Sequence, residues 1–177
     1  LRRRFTLWRR VGGGGNGTGS NATARNATAA QQQQVQVVSF NATFSINVYQ
    51  LTTASPGEGL TFVIAPSRDE PPPGSYGGYL GLTNATLEAT GPAANRFVAV
   101  EFDTLKQSYD PDDNHVGLNL GSVVSNKTAS LAAFRIATNE STATNYTVWV
   151  QYDGAARHVS VFMGVRGRPK PPSPVLE

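Results

Sequence analysis

The sequence predicts an all-β sandwich, and three observations support that reading. Segments rich in β-branched and aromatic residues recur at short intervals, clusters of Gly, Pro, Asn and Asp separate them, and no stretch repeats apolar residues at helical spacing. At 177 residues the chain suits one domain large enough to bury a core, and 39% hydrophobic with 15% charged residues is a globular composition. The first 34 residues stand apart: a basic start at residues 1–11, then a Gly-, Asn- and Gln-rich stretch expected to form a long surface loop. The domain proper is placed at residues 35–177.

Within it, residues 35–51 (VQVVSFNATFSINVYQL) set Phe40, Ala42, Phe44, Ile46 and Val48 at even positions with mostly polar residues between, the period of a half-buried strand. Residues 55–66 (SPGEGLTFVIAP) predict a tight turn and then an apolar strand. Residues 71–82 (PPPGSYGGYLGL) predict a loop. Residues 97–104 (FVAVEFDT) contain no turn residue and predict a strand, and the chain is expected to turn through 107–114 and return along 115–120 (HVGLNL). Further strands are expected at 132–137, 145–152 and 158–165, with a hairpin turn at Asp153 and Gly154. Trp149 is assigned to the core, and His158, without an acidic neighbour at ligand spacing, to an ordinary exposed or half-buried position. The last stretch, RGRPKPPSPVLE, is expected to be extended.

The chemistry concentrates in residues 97–125. Strand alternation puts Glu101, Asp103, Leu105 and Gln107 on one face and Val98, Val100 and Phe102 on the other, so Glu101 and Asp103 are same-face neighbours roughly 7 Å apart. Two carboxylates that close in an apolar run need a cation or a proton between them. The turn brings Asp110 and His115 toward the pair. Carboxylates suit calcium, an added imidazole favours a first-row ion such as manganese, and a mixed set suits two adjacent ions. Asp110, Asp112 and Asn114 match three positions of an EF-hand loop, but His115 and Gly121 stand where its glycine and closing glutamate belong. A retaining glycosidase needs a second glutamate where Leu105 and Lys106 stand. A metal-activated hydrolase, which needs an open coordination position and a general base, stays open at this stage.

The motif from Val98 through Ser125, V-A-V-E-F-D-T followed by D-P, H-V-G-L-N and S-V-V-S, resembles the metal-binding region of the legume (L-type) lectins. The resemblance covers residues 40–177 and implies the concanavalin-like jelly-roll sandwich. It implies that Glu101, Asp103, Asp110 and His115 ligate a manganese-type ion with Ser125 holding one of its waters. Asp103, the carbonyl of Leu105, the side chain of Gln107 and Asp110 would ligate calcium. It implies carbohydrate binding by Glu58, the amide of Gly78 or Gly77, Leu105 and Gln107. Three residues depart from the family pattern: Leu105 replaces a sugar-stacking aromatic, Gln107 an asparagine and Glu58 an aspartate. The chain ends where the family's fourth sugar-binding loop would follow, so the domain is expected to be incomplete at its C-terminus. The sequence is most similar to the extracellular lectin domain of a plant lectin receptor kinase, and a homodimer is among the expected assemblies. A sandwich that has lost sugar binding and serves as a protein-interaction or apolar-ligand ectodomain is the alternative.

Composition bounds the rest. The absence of cysteine excludes a disulfide framework and thiolate chemistry. Eight N-glycosylation sequons, at Asn16, Asn21, Asn26, Asn41, Asn84, Asn126, Asn139 and Asn145, argue for the secretory pathway, hence an extracellular or secreted glycoprotein. Net charge is +3, with five arginines in the first ten residues, but no interleaved aromatics or recognisable module supports nucleic-acid binding. No apolar run is long enough to span a membrane, and no signal peptide is expected at Leu1. Gly12, Gly14 and Gly17 match a dinucleotide fingerprint without its strand and helix, and Ser75 lacks the hydrolase elbow. No kinase signature occurs, so the expected activity is binding and not catalysis.

Overall fold

The computed structural model describes residues 38–50, 57–66, 70–93, 95–134, 136 and 138–177. The basic start, the low-complexity stretch and residues 35–37 lie outside the described residues. Two antiparallel sheets form the body. One has three strands in the order β1 (Phe40–Ile46), β8 (Tyr146–Asp153), β9 (His158–Val165). The other has four, in the order β3 (Gly59–Ile64), β4 (Val98–Asp103), β5 (His115–Leu120), β6 (Lys127–Ser130). The short strands β2 (Tyr49–Gln50) and β7 (Thr138–Asn139) pair in parallel.

The predicted alternation in β1 is present: Phe40, Ala42, Phe44 and Ile46 turn inward while Asn41, Thr43 and Ser45 are exposed. The two sheets meet over one core in which Val100, Phe102 and Val116 face Val148, Val150, Val161 and Met163. Phe44 stacks on Phe62 across the sheets at 5.5 Å between ring centroids. Full burial of a side chain such as Phe102 contributes about 2–3 kcal/mol. Strand β4 is buried on both faces, so Ala99, Glu101 and Asp103 lie on the side away from this core yet inside the molecule. A smaller cluster of Leu82, Phe97 and Ala99, with Ala65 and Leu80, covers part of that side.

Several expectations are corrected. Residues 132–134 are a turn and not a strand: β6 ends at Ser130, Leu131 is buried, and Phe134 N donates to Leu131 O at 2.7 Å. That turn swings Phe134 edge-on against Tyr146. A helix, α1 (Ala85–Thr90), interrupts the all-β pattern because Asn84 caps it, its side chain accepting from Leu87 N. Trp149 is not in the core. Val148 and Val150 take the inward positions of β8, so Trp149 lies half-buried on the outer face beside Gly164. The hairpin between β8 and β9 is wider than predicted, with Asp153 paired to His158 and residues 154–157 forming the turn. The C-terminal stretch does more than extend: Val161 N donates to Leu176 O at 2.7 Å, and Leu176 joins the core. His158 is exposed as expected, with Nε2 3.9 Å from a Glu177 carboxylate oxygen.

Candidate metal centre

The antiparallel register of β4 and β5 assembles the centre. It sets Asp103 opposite His115, Glu101 opposite Gly117 and Ala99 opposite Asn119. Period-two alternation points Glu101, Asp103, His115 and Asn119 to the same side, and all four are buried. Gly117 makes room for them. A Cβ there would collide with the Ser125 hydroxyl and the Glu101 carboxylate.

The strand stops at Asp103, so strand parity does not place Leu105 and Gln107 as expected; a turn does. Leu105 N donates to Asp103 Oδ1 at 2.8 Å, folding the chain back. Gln107 N donates to Asp110 Oδ2 at 2.7 Å, and Asp110 N donates to Gln107 O at 3.2 Å. The result brings ligand atoms of Asp103, Asp110 and His115 within 4.8 Å of one another. Glu101 stands beside them, with Oε1 3.4 Å from His115 Nε2. Both its oxygens already accept bonds, from Ser125 Oγ at 2.5 Å and from Asn119 Nδ2 at 2.9 Å. Ser125 therefore meets the centre through Glu101.

His115 is completely buried, and its Nδ1 lies 3.2 Å from the Asp112 carbonyl oxygen. A proton on Nδ1 donated to that carbonyl leaves the Nε2 lone pair facing the carboxylates, the usual preparation of a ligating imidazole. Nε2 is buried and makes no hydrogen bond among the described residues, its approach to Glu101 Oε1 being an ion-pair contact at 3.4 Å. Burial, reinforced by Asp110 and opposed by the Leu105 amide, pushes the Asp103 carboxyl up to about 7. Burial also raises Asp110. For His115 burial opposes protonation, but Glu101, Asp103 and Asp110 outweigh it and raise its pKa. Carboxylates that resist ionising, gathered around a buried imidazole, fit a bound cation.

The residues assigned to carbohydrate binding gather next to the acidic turn. Thr104 N donates to Glu58 O at 3.1 Å, which holds the Glu58 segment against the end of β4. Gln107 Nε2 donates to Glu58 Oε2 at 2.9 Å. Gly78 belongs to the 3₁₀ turn Gly77–Tyr79, and its Cα faces Gln107 so closely that a Cβ would lie 3.1 Å from Cδ. Leu105 is half-buried. Sequence reasoning missed two residues. Asn119 was legible, since it lies at i+4 from His115 in the same strand. Tyr109, whose hydroxyl donates to Gly78 O at 2.8 Å, carried no pattern. Burial and the neighbouring carboxylates raise the Tyr109 pKa, which keeps its hydroxyl a donor.

The legume lectin domain family matches residues 21–177. The L-type lectin-domain containing receptor kinase VIII.2 of Arabidopsis thaliana is 44% identical over 140 residues, covering 78% of this chain and 18% of the relative. Among solved structures, the Lotus tetragonolobus seed lectin superposes with a TM-score of 0.65 at 28% identity, covering 80% of this chain and 57% of that one. The winged bean acidic lectin, solved in complex with methyl-α-D-galactose, gives a TM-score of 0.58 at 28% identity, with 76% and 51% covered. The chain thus spans under a fifth of that receptor kinase and somewhat over half of these lectins. Among the described residues no helix is long and apolar enough to cross a membrane. On the family match and these relatives together, the chain belongs to the legume lectin domain family.

Proposed function

We propose that this chain binds carbohydrate in a calcium- and manganese-dependent manner, as the extracellular recognition domain of a receptor. The observation that carries the reading is the convergence of Asp103, Asp110 and His115, whose buried Nε2 makes no hydrogen bond among the described residues. Glu101, Asp103, Asp110 and His115 would hold the manganese-type ion. Asp103, Asp110, the Leu105 carbonyl and the Gln107 side chain would hold calcium. When bound, the cations supply charge that neutralises the buried carboxylates and fixes the acidic turn. The chain's own part is to present donors and acceptors already in place: the Glu58 carboxylate, the Gln107 amide, the Gly78 backbone and the Leu105 side chain. A shallow polar site gains little from apolar burial and depends on this preorganisation. The sugar-bound winged bean relative supports a glycan partner, and the receptor kinase relative supports an extracellular ectodomain. Glycosylation at the exposed sequons and pairing into a homodimer belong to the same reading. The test is retention on glycan-coated resin, which a chelator should abolish and added calcium with manganese restore; retention indifferent to the chelator counts against it.

One observation favours a second reading, an ectodomain that binds protein or an apolar ligand. Glu58 and Gln107 satisfy each other at 2.9 Å, and Leu105 offers an aliphatic surface where a stacking ring is expected. Calorimetric titration separates the two: heat with calcium but none with simple sugars selects the second.

A further inference from the structure

We infer that Tyr109 is a positioning residue that ties the Gly77–Tyr79 turn to the acidic turn at residues 105–110, so that order at the cation site is passed on to the Gly78 backbone. The tie is the 2.8 Å hydrogen bond from the Tyr109 hydroxyl to Gly78 O. At one end Tyr109 is closely constrained, since it directly precedes Asp110 in a turn closed by the reciprocal bonds between Gln107 and Asp110. Whatever fixes the Asp110 carboxylate therefore fixes the backbone that carries the tyrosine.

The other end needs holding. Leu80, which closes the 3₁₀ turn, adopts a left-handed conformation with φ of 52°, uncommon for a bulky non-glycine residue. Such a conformation persists where its surroundings over-determine it. Thr61 Oγ1 holds one side by donating to Leu80 O at 3.2 Å, and Tyr109 holds the other. Gln107 is turned to Glu58, so its amide does not serve as this strut. Tyr109 as a whole residue is 41% exposed, so its place is set by the hydroxyl bond more than by packing. Gly78 is also suited to the contact, because a Cβ there would lie 3.2 Å from the Tyr109 hydroxyl.

The consequence for sugar binding rests on the carbohydrate reading; the mechanical link does not. Hydrogen–deuterium exchange of the whole chain, chelated and then reloaded with calcium and manganese, reads the link directly, with bound metal measured on the same samples. In the wild type, metal slows exchange in residues 105–118 and also in 76–82. In Tyr109→Phe, metal still slows 105–118, but exchange in 76–82 stays roughly fivefold faster than wild type, as expected for one lost hydrogen bond. Unchanged exchange in β8 and β9 shows that the variant is folded. Equal metal-linked protection of 76–82 in both proteins overturns the inference, as does its absence in metal-loaded wild type; a wild type that takes up no ion overturns inference and function together. Glycan retention on the same samples distinguishes the failures. Protection that follows Tyr109 without glycan binding leaves the strut standing and sinks the carbohydrate reading. Glycan binding with protection indifferent to Tyr109 does the reverse.

Discussion

Asp103 and His115 face each other across the β4–β5 ladder as direct register partners, on the side of the sheet turned away from the core. A shift of one residue in that register would send His115 into the hydrophobic core and Val116 into the acid cluster. Pairing of the strands and assembly of the centre are therefore one event.

The metal-free chain should lose stability as pH rises. Burial raises the Asp103 carboxyl from the ordinary aspartate value of 3.8 to about 7, so across that window the folded chain keeps a proton the unfolded chain has released. The slope for one such group is at most about 1.4 kcal/mol per pH unit, downward with increasing pH. His115, also raised, acts in the same direction: its contribution is present at low pH and lost as pH rises through its folded pKa. Melting in a chelator should give a higher midpoint at pH 5 than at pH 8, and saturating calcium should flatten or reverse the slope. A metal-free midpoint that climbs over this range would contradict the buried-acid account.

Gly117→Ala should destabilise the fold by roughly 1–3 kcal/mol, because the added methyl meets Ser125 and Glu101 in a packed site. Urea denaturation of wild type and variant measures it. A loss within experimental error would mean that the close approach of these side chains is not maintained in solution.

Glu58 and Gln107 are each one methylene longer than the residues the lectin pattern predicts, and they bond each other. Glu58→Asp and Gln107→Asn should therefore each weaken glycan retention, while the double variant recovers part of it, with a coupling of about 0.5–3 kcal/mol in the cycle. Simple additivity of the two losses would show that the residues act independently.

Asn41, Asn126 and Asn145 are exposed sequon residues and should carry glycans when the chain is made in a plant secretory host. Glycopeptide mass spectrometry reads their occupancy. Unmodified peptides at all three sites would count against passage through that pathway.

Much of the fold was legible because alternation is a local signal. β1 and β8 show it in their burial, and the bounds of β4, β5, β8 and β9 fall within a residue of the expected ones. Strand β6, with the polar sequence KTAS on a sheet edge, has too few apolar residues to announce itself. Helix α1 was hidden for a different reason: Asn84 reads equally as a sequon and as a helix cap, and six residues are too few to show a helical period. At the site, motif and strand parity pointed to Glu101, Asp103 and His115, and the D-P turn to Asp110. The pairing of Gln107 with Glu58 and the reach of Tyr109 to Gly78 join residues 49 and 31 positions apart, and such contacts leave no trace in spacing along the chain.

Elemental analysis of the gel-filtered protein, compared with Asp103→Asn, tests the central claim most directly. The account predicts calcium and a manganese-type ion in near-stoichiometric amounts in the wild type, both greatly depleted in the variant. Metal-free wild-type protein after exposure to both ions, or equal metal content in the two proteins, would contradict it.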